Sequence, residues 1–175
     1  MSSVAMADLS KDVNALDIDA LRFSLRRVAS TVHVIAVKCD DGAFFATTAT
    51  AVTSVCFEPP TILVCINKTS AIRAAIEREE TFTINVLSAD QMDVAGFCSG
   101  GAPHHERESL FDRSERFSAA AALRNAQATL ICRRASIVRH GTHSVVFGTV
   151  IEASYRAETR PLLYLDGRYG AFHAG

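Results

Sequence analysis

The chain has 175 residues, 49% of them hydrophobic and 21% charged, with a formal net charge of −1. That composition fits a globular protein long enough to bury a core. The charge gives no electrostatic basis for nucleic-acid binding, and no apolar run has the length of a membrane span. The N-terminal stretch MSSVAMADLSKDVNALD is polar and acidic, with no basic region ahead of an apolar core, so a signal peptide is not expected. Cys39, Cys56, Cys65, Cys98 and Cys132 are odd in number, scattered and without a C-x-x-C pair, which points to free thiols and a cytoplasmic location.

In chain order, residues 1–13 read as a loose tail and 14–175 as one domain. Asp17 can cap a helix whose Ile18, Leu21, Leu25 and Val28 share a face, with Arg22, Arg26 and Arg27 on its solvated sides. Thr31 to Val37 reads as a strand, Asp40-Asp41-Gly42 as a tight turn, and Ala43 onward as the return. His33 inside that strand is expected to be a satisfied or edge histidine rather than a ligand.

Residues 44–70 are the stretch most suited to a site. They begin with small and hydroxylated residues, Ala46 to Ser54, and turn over at Glu58-Pro59-Pro60. Thr61 to Ile66 then reads as a buried strand, followed by the polar corner Asn67-Lys68-Thr69-Ser70. Ala, Thr and Ser leave room for a flat ligand against the backbone, and free N–H groups with hydroxyls can hold an anionic tail. Ser70 can cap a short helix carrying Ile72, Ala75 and Ile76, whose N-terminus with Lys68 would make an anion site. A plain N-cap beside a surface lysine is the alternative.

Thr81 to Val86 is a further strand, and Ser88 to Gln91 fits a capping box opening a helix with Met92, Ala95 and Phe97. Residues 99–109 read as a loop holding Arg107, either a ligand contact or a solvated arginine. His104 and His105 are adjacent and lack the spacing of a helical metal pair. Ala128 to Ile137 and Ser144 to Ala153 read as a hairpin around Arg139–Thr142, and the chain ends through Pro161–Tyr164 and Gly167–Gly170. Strands outnumber helices, which points to a mainly β fold, a closed antiparallel barrel with peripheral helices. G-x-G-x-x-G, P-loop, G-x-S-x-G and H-E-x-x-H motifs are absent. His140 and His143 flank a glycine turn without a further ligand at metal spacing, so no metal is expected.

The pattern from Thr48 to Pro60, followed by the Asn67-Lys68-x-Ser70 corner, resembles the flavin reductase domain. Phe82–Leu87, Gly141-Thr142-His143, Phe147–Val150 and Pro161–Tyr164 extend the resemblance over roughly residues 20–170. It implies an FMN-binding split barrel with Greek-key connections, a homodimer with flavin at the subunit interface. The implied activity is NAD(P)H-dependent reduction of FMN or FAD, with reduced flavin passed to a partner monooxygenase. A protein that holds FMN tightly for electron transfer is the alternative, and a barrel without flavin a third reading. Under the resemblance, backbone and small side chains of Thr48, Ala49, Thr50, Ala51, Val55 and Cys56 line the flavin ring, with Cys56 where relatives more often have Ser. Ser54, Lys68 and Ser70 face the phosphate, and Asn67, Asn85, Arg107 and Tyr169 complete the cofactor-binding set. His143 is the candidate for a direct role beside the nicotinamide. Relatives carry Asp before this histidine; Thr142 stands here, and loss of an orienting carboxylate would leave the ring's tautomer less fixed.

Overall fold

The structure, a computed structural model, describes residues 16–100, 104–112 and 121–173. The expected N-terminal tail lies outside them.

The larger of two sheets is antiparallel and seven-stranded. It comprises β2 (His33–Lys38), β3 (Phe44–Ala49), β4 (Val52–Phe57), β5 (Pro60–Asn67), β6 (Thr81–Val86), β7 (Ala128–His140) and β8 (His143–Tyr155). Their order is β3-β2-β6-β7-β8-β5-β4, so the consecutive strands β3 and β4 occupy the two opposite edges. Only Thr50 and Ala51 join them. A smaller sheet pairs β1 (Ser30–Thr31) with β9 (Leu162–Leu165), and β9 with β10 (Arg168–Ala171). The β9–β10 hairpin is a finding of the structure, since its short strands carry little alternation.

Strand period explains the core. Along β2 the odd residues Ile35 and Val37 join Ile62, Val64, Phe82, Ile84 and Val146 on one face. The even residues Val34 and Ala36 join Phe44, Leu87, Ala95 and Leu162 on the other. His33 lies between β3 and β6, paired with Ala49 and Val86, so it is an interior histidine and not an edge one. The residue is 8% exposed, and burial holds its ring below the ordinary histidine pKa.

Helices α1 (Ile18–Leu25), α2 (Ile72–Arg78), α3 (Met92–Ser99) and the single turn α4 (His104–Arg107) decorate the sheets. Asp17 caps α1 as expected, its Oδ1 accepting from the amides of Asp19 (2.9 Å) and Ala20 (3.2 Å). No residue of α1 is buried, so its apolar face finds no core among the described residues. In α3 the buried residues are Ala95 and Cys98, while Met92 and Phe97 are exposed, which corrects the expected face. The Ser88–Gln91 exchange forms in part: Gln91 Oε1 accepts from the Ser88 amide at 3.1 Å, but the helix opens only at Met92.

Candidate active site

Two groups of expected residues emerge, one at a hairpin corner and one along an edge strand. At the corner, Asn67 ends β5 opposite His143, the first residue of β8. Asn67 Oδ1 accepts from the Thr69 amide (3.0 Å) and hydroxyl (2.9 Å), folding the chain into a turn. That turn presents Lys68, whose amide donates to the Thr142 carbonyl at 2.9 Å. The Thr142 hydroxyl lies 2.9 Å from His143 Nδ1. The ring therefore has a neighbour at Nδ1, but a hydroxyl can donate or accept there, so the tautomer stays less fixed than a carboxylate would leave it. Asn67, Lys68, Thr142 and His143 are exposed, and Ser70 is half-buried beside them.

Ser70 does not cap α2. The helix begins at Ile72, and Ala71 at its cap position offers no side-chain bond. With seven residues, α2 adds little dipole, so charge at the corner comes from Lys68. Neither Lys68 nor His143 has a carboxylate partner among the described residues.

The edge group begins on β3. Ala49 is half-buried against the inner core. The Thr48 hydroxyl donates to the Ala95 carbonyl of α3 at 2.7 Å, so its side chain is committed to packing and its backbone is what it offers a ligand. Thr50 and Ala51 form the exposed crossover, pinned where the Cys65 amide donates to the Ala51 carbonyl at 3.0 Å. Every residue from Thr53 to Phe57 on β4 is exposed. The register with β5 shifts between Ser54 and Cys56, leaving Val55 as the extra residue of a bulge. The Cys56 thiol is directed at the Pro59 carbonyl, 3.1 Å away. Ser54 pairs with Ile62 and His143 with Asn67 on the same strand, five residues on. At strand rise this is about 17 Å, so Ser54 belongs with the edge group and Lys68 with the corner.

Asn85 and Arg107 are corrected. Asn85 is fully buried, and its amide donates to Val34 O (3.1 Å), Thr83 Oγ1 (3.0 Å) and Ala121 O (3.3 Å). Its Oδ1 accepts from the Leu123 amide (2.9 Å) and the Thr129 hydroxyl (3.0 Å). Those bonds use its polar capacity, so it ties strands to the 121–123 segment and leaves nothing for a ligand. Arg107 is 6% exposed in α4, its Nη1 donating to the Ala46 carbonyl at 2.6 Å; it pins α4 to β3 and is no solvated loop residue.

Tyr169 is half-buried, its ring 5.3 Å from that of Tyr164 at 59°. Burial, with Tyr164 alongside, pushes its phenol above the ordinary tyrosine value. Tyr164 itself faces a cleft of about 540 Å³ that also touches Arg22, Phe23, Arg26, Thr50 and Asp166. This cleft adjoins the edge group through Thr50, and sequence reasoning missed it. The arginines of α1 read as solvated, and the signal available was the Tyr164 that closes the Pro161–Tyr164 motif.

Cys98 and Cys132 are buried, and burial pushes their thiols up to about 11 and about 12, away from the thiolate form. Among the described residues no group of three or more His, Cys, Asp or Glu side chains could hold a metal ion. The functional groups are thus a cationic corner, one positioned imidazole and an edge of small residues, a set fitted to binding and aligning ligands that carry their own reactivity.

Residues 25–173 match the model of the flavin reductase like domain. The reductase component of the FADH(2)-dependent resorcinol hydroxylase of a Rhizobium species is 36% identical over 151 residues, covering 86% of this chain and 84% of the relative. The FMN reductase (NADH) RutF of Methylorubrum extorquens is 36% identical over 155 residues, covering 88% and 76%. Among solved structures, the NADH:FAD oxidoreductase SgcE6 of Streptomyces globisporus superposes with a TM-score of 0.81 at 26% identity, covering 91% of this chain and 96% of that one. A family match over most of the chain, carried by relatives above 30% identity, places the protein in the flavin reductase like domain family.

Proposed function

We propose that the protein is an NAD(P)H:flavin oxidoreductase that reduces FMN or FAD and supplies the reduced flavin to a separate monooxygenase. The observation that carries this is the pairing of an exposed small-residue edge, Thr50 to Cys56, with the Lys68–Thr142–His143 corner at the other end of β5. The residues fit a flavin. Among the described residues the outer edge of β4 has no strand beside it, so its backbone groups can bond the polar rim of a flat ring. Lys68 can take a phosphate without first breaking an ion pair.

A flavin held there would supply the hydride acceptor, and reduced nicotinamide the donor. The chain's own part is alignment: the β3–β4 crossover offers backbone against the ring, the corner holds negative charge, and the His143 ring orders the nicotinamide side. Relatives are named for FMN and for FADH(2), so both flavins are assigned as substrates of this reading. We read the seven-stranded sheet as the split barrel, since its two edge strands are consecutive in the chain. Homodimerisation belongs to the same reading, supported by the wholly exposed α1 and by Phe57, 87% exposed at the edge. A cytoplasmic location is supported by the five free cysteines.

The test is NADH and NADPH oxidation by the purified protein with FMN, FAD and riboflavin added in turn. Turnover that rises and saturates with free flavin is expected. A yellow protein that keeps its flavin through gel filtration yet oxidises neither nucleotide overturns the reading in favour of tight flavin binding.

A further inference from the structure

Thr142 hydrogen-bonds to both Lys68 and His143, the two candidates of the corner. Its carbonyl accepts from the Lys68 amide at 2.9 Å, and its hydroxyl lies 2.9 Å from His143 Nδ1. Its backbone has little freedom. Gly141, at φ +53°, takes the first position of the two-residue loop between His140 and His143, and Thr142 takes the second. The ladder on both sides is regular, with Arg139 opposite Ser144 and Asn67 opposite His143. A hydroxyl hung on so fixed a backbone defines a direction for the ring it meets.

We infer that Thr142 is the positioning residue of the site, its hydroxyl engaging His143 Nδ1 so that Nε2 is the ring nitrogen left for the nicotinamide substrate. The inference rests on the flavin reductase reading of the corner. The chemistry of the group matters as well as its place. A carboxylate at this position would accept a hydrogen bond only, and would set a negative charge beside Lys68. A hydroxyl either donates to Nδ1 or accepts from it, and it adds no charge. The ring is therefore oriented while Lys68 keeps its full attraction for a phosphate.

The test compares Thr142→Val, which keeps the shape and β-branching but loses the hydroxyl, with Thr142→Ser, which keeps the hydroxyl. Thr142→Val is expected to raise KM for NADH about fivefold, the scale of one neutral hydrogen bond, with kcat at saturating NADH held within about twofold. Thr142→Ser should restore KM to near the wild-type value. In a His143→Ala background Thr142→Val should add nothing further, because the group it positions is gone. An equal rise in KM with and without His143, or no rescue by Thr142→Ser, overturns the inference. Imidazole ¹⁵N spectra decide it apart from turnover. The His143 Nδ1 resonance should move between wild type and Thr142→Val, and an unmoved resonance refutes the contact even if the protein reduces no flavin.

Discussion

Asn85 and Lys68 sit in neighbouring parts of the sequence pattern, yet burial gives them opposite work. Asn85 is fully enclosed and bonded on every side, so replacing it leaves the Leu123 amide and the Thr129 hydroxyl without their acceptor. Asn85→Ala is expected to cost about 3 kcal/mol of stability, the scale of buried groups left unsatisfied, read as a lower midpoint in urea unfolding. Lys68 is exposed and has no carboxylate partner among the described residues, so its removal should leave that midpoint unchanged. Lys68→Ala is instead expected to weaken FMN binding about tenfold, one charge-assisted hydrogen bond, and riboflavin binding much less. Equal losses for the two flavins, measured by fluorescence titration, would remove Lys68 from the phosphate site. The same contrast explains why a motif alone misassigns such residues: an asparagine in a strand looks like a ligand contact until its five bonds are seen.

The β7–β8 hairpin is the element on which the corner depends, and its packing hinges on a residue without a side chain. A Cβ added at Gly148 would lie 2.6 Å from Phe82 Cζ and 2.9 Å from Cys132 Cβ. Phe82 is 1% exposed and Cys132 fully buried, so neither has room to withdraw. Gly148→Ala is expected to destabilise the fold by about 2 kcal/mol through overpacking, with part recovered by adding Phe82→Leu; a neutral Gly148→Ala in urea unfolding counts against this account. Elements of this kind were legible in the sequence because local chemistry sets them. Asp17 capped its helix, strand-length apolar runs at 31–37 and 61–66 became strands, and a glycine turn closed the hairpin. What was not legible depends on distant partners. Arg107 in a Gly- and Pro-rich stretch reads as a ligand contact or a solvated arginine, and its bond to the Ala46 carbonyl on distant β3 shows it to be a buried pin. The bulge at Val55 depends on where β5 lies beside β4. The apolar stripe of α1 looks the same whether it covers its own core or another chain.

That stripe sets the question for the whole molecule. Ile18, Leu21, Leu25 and Val28 are 46%, 39%, 61% and 60% exposed, and Leu165 and Phe172 add further apolar surface at 46% and 63%. Single exposed apolar side chains are ordinary, but a run of them on one helix and the segment following it is the kind of surface that the proposed homodimer would cover. The chain carries a formal net charge of −1, so little electrostatic repulsion opposes pairing with a second copy. The cleft beside α1 reaches Thr50, so covering α1 would also enclose part of the proposed flavin edge. Two copies of an 18.9 kDa chain are therefore expected by sedimentation at micromolar concentration. Leu25→Asp with Val28→Asp should shift the protein to a single copy, because two carboxylates cannot be buried at such an interface without partners. The Asp17 cap is untouched by these changes, so α1 itself should survive, and circular dichroism checks that it does. In the dissociated variant KM for flavin should rise, since the wall a second copy lends to the cleft is gone. A wild type that sediments as one copy while reducing flavin at full rate would show that a single chain is the working unit.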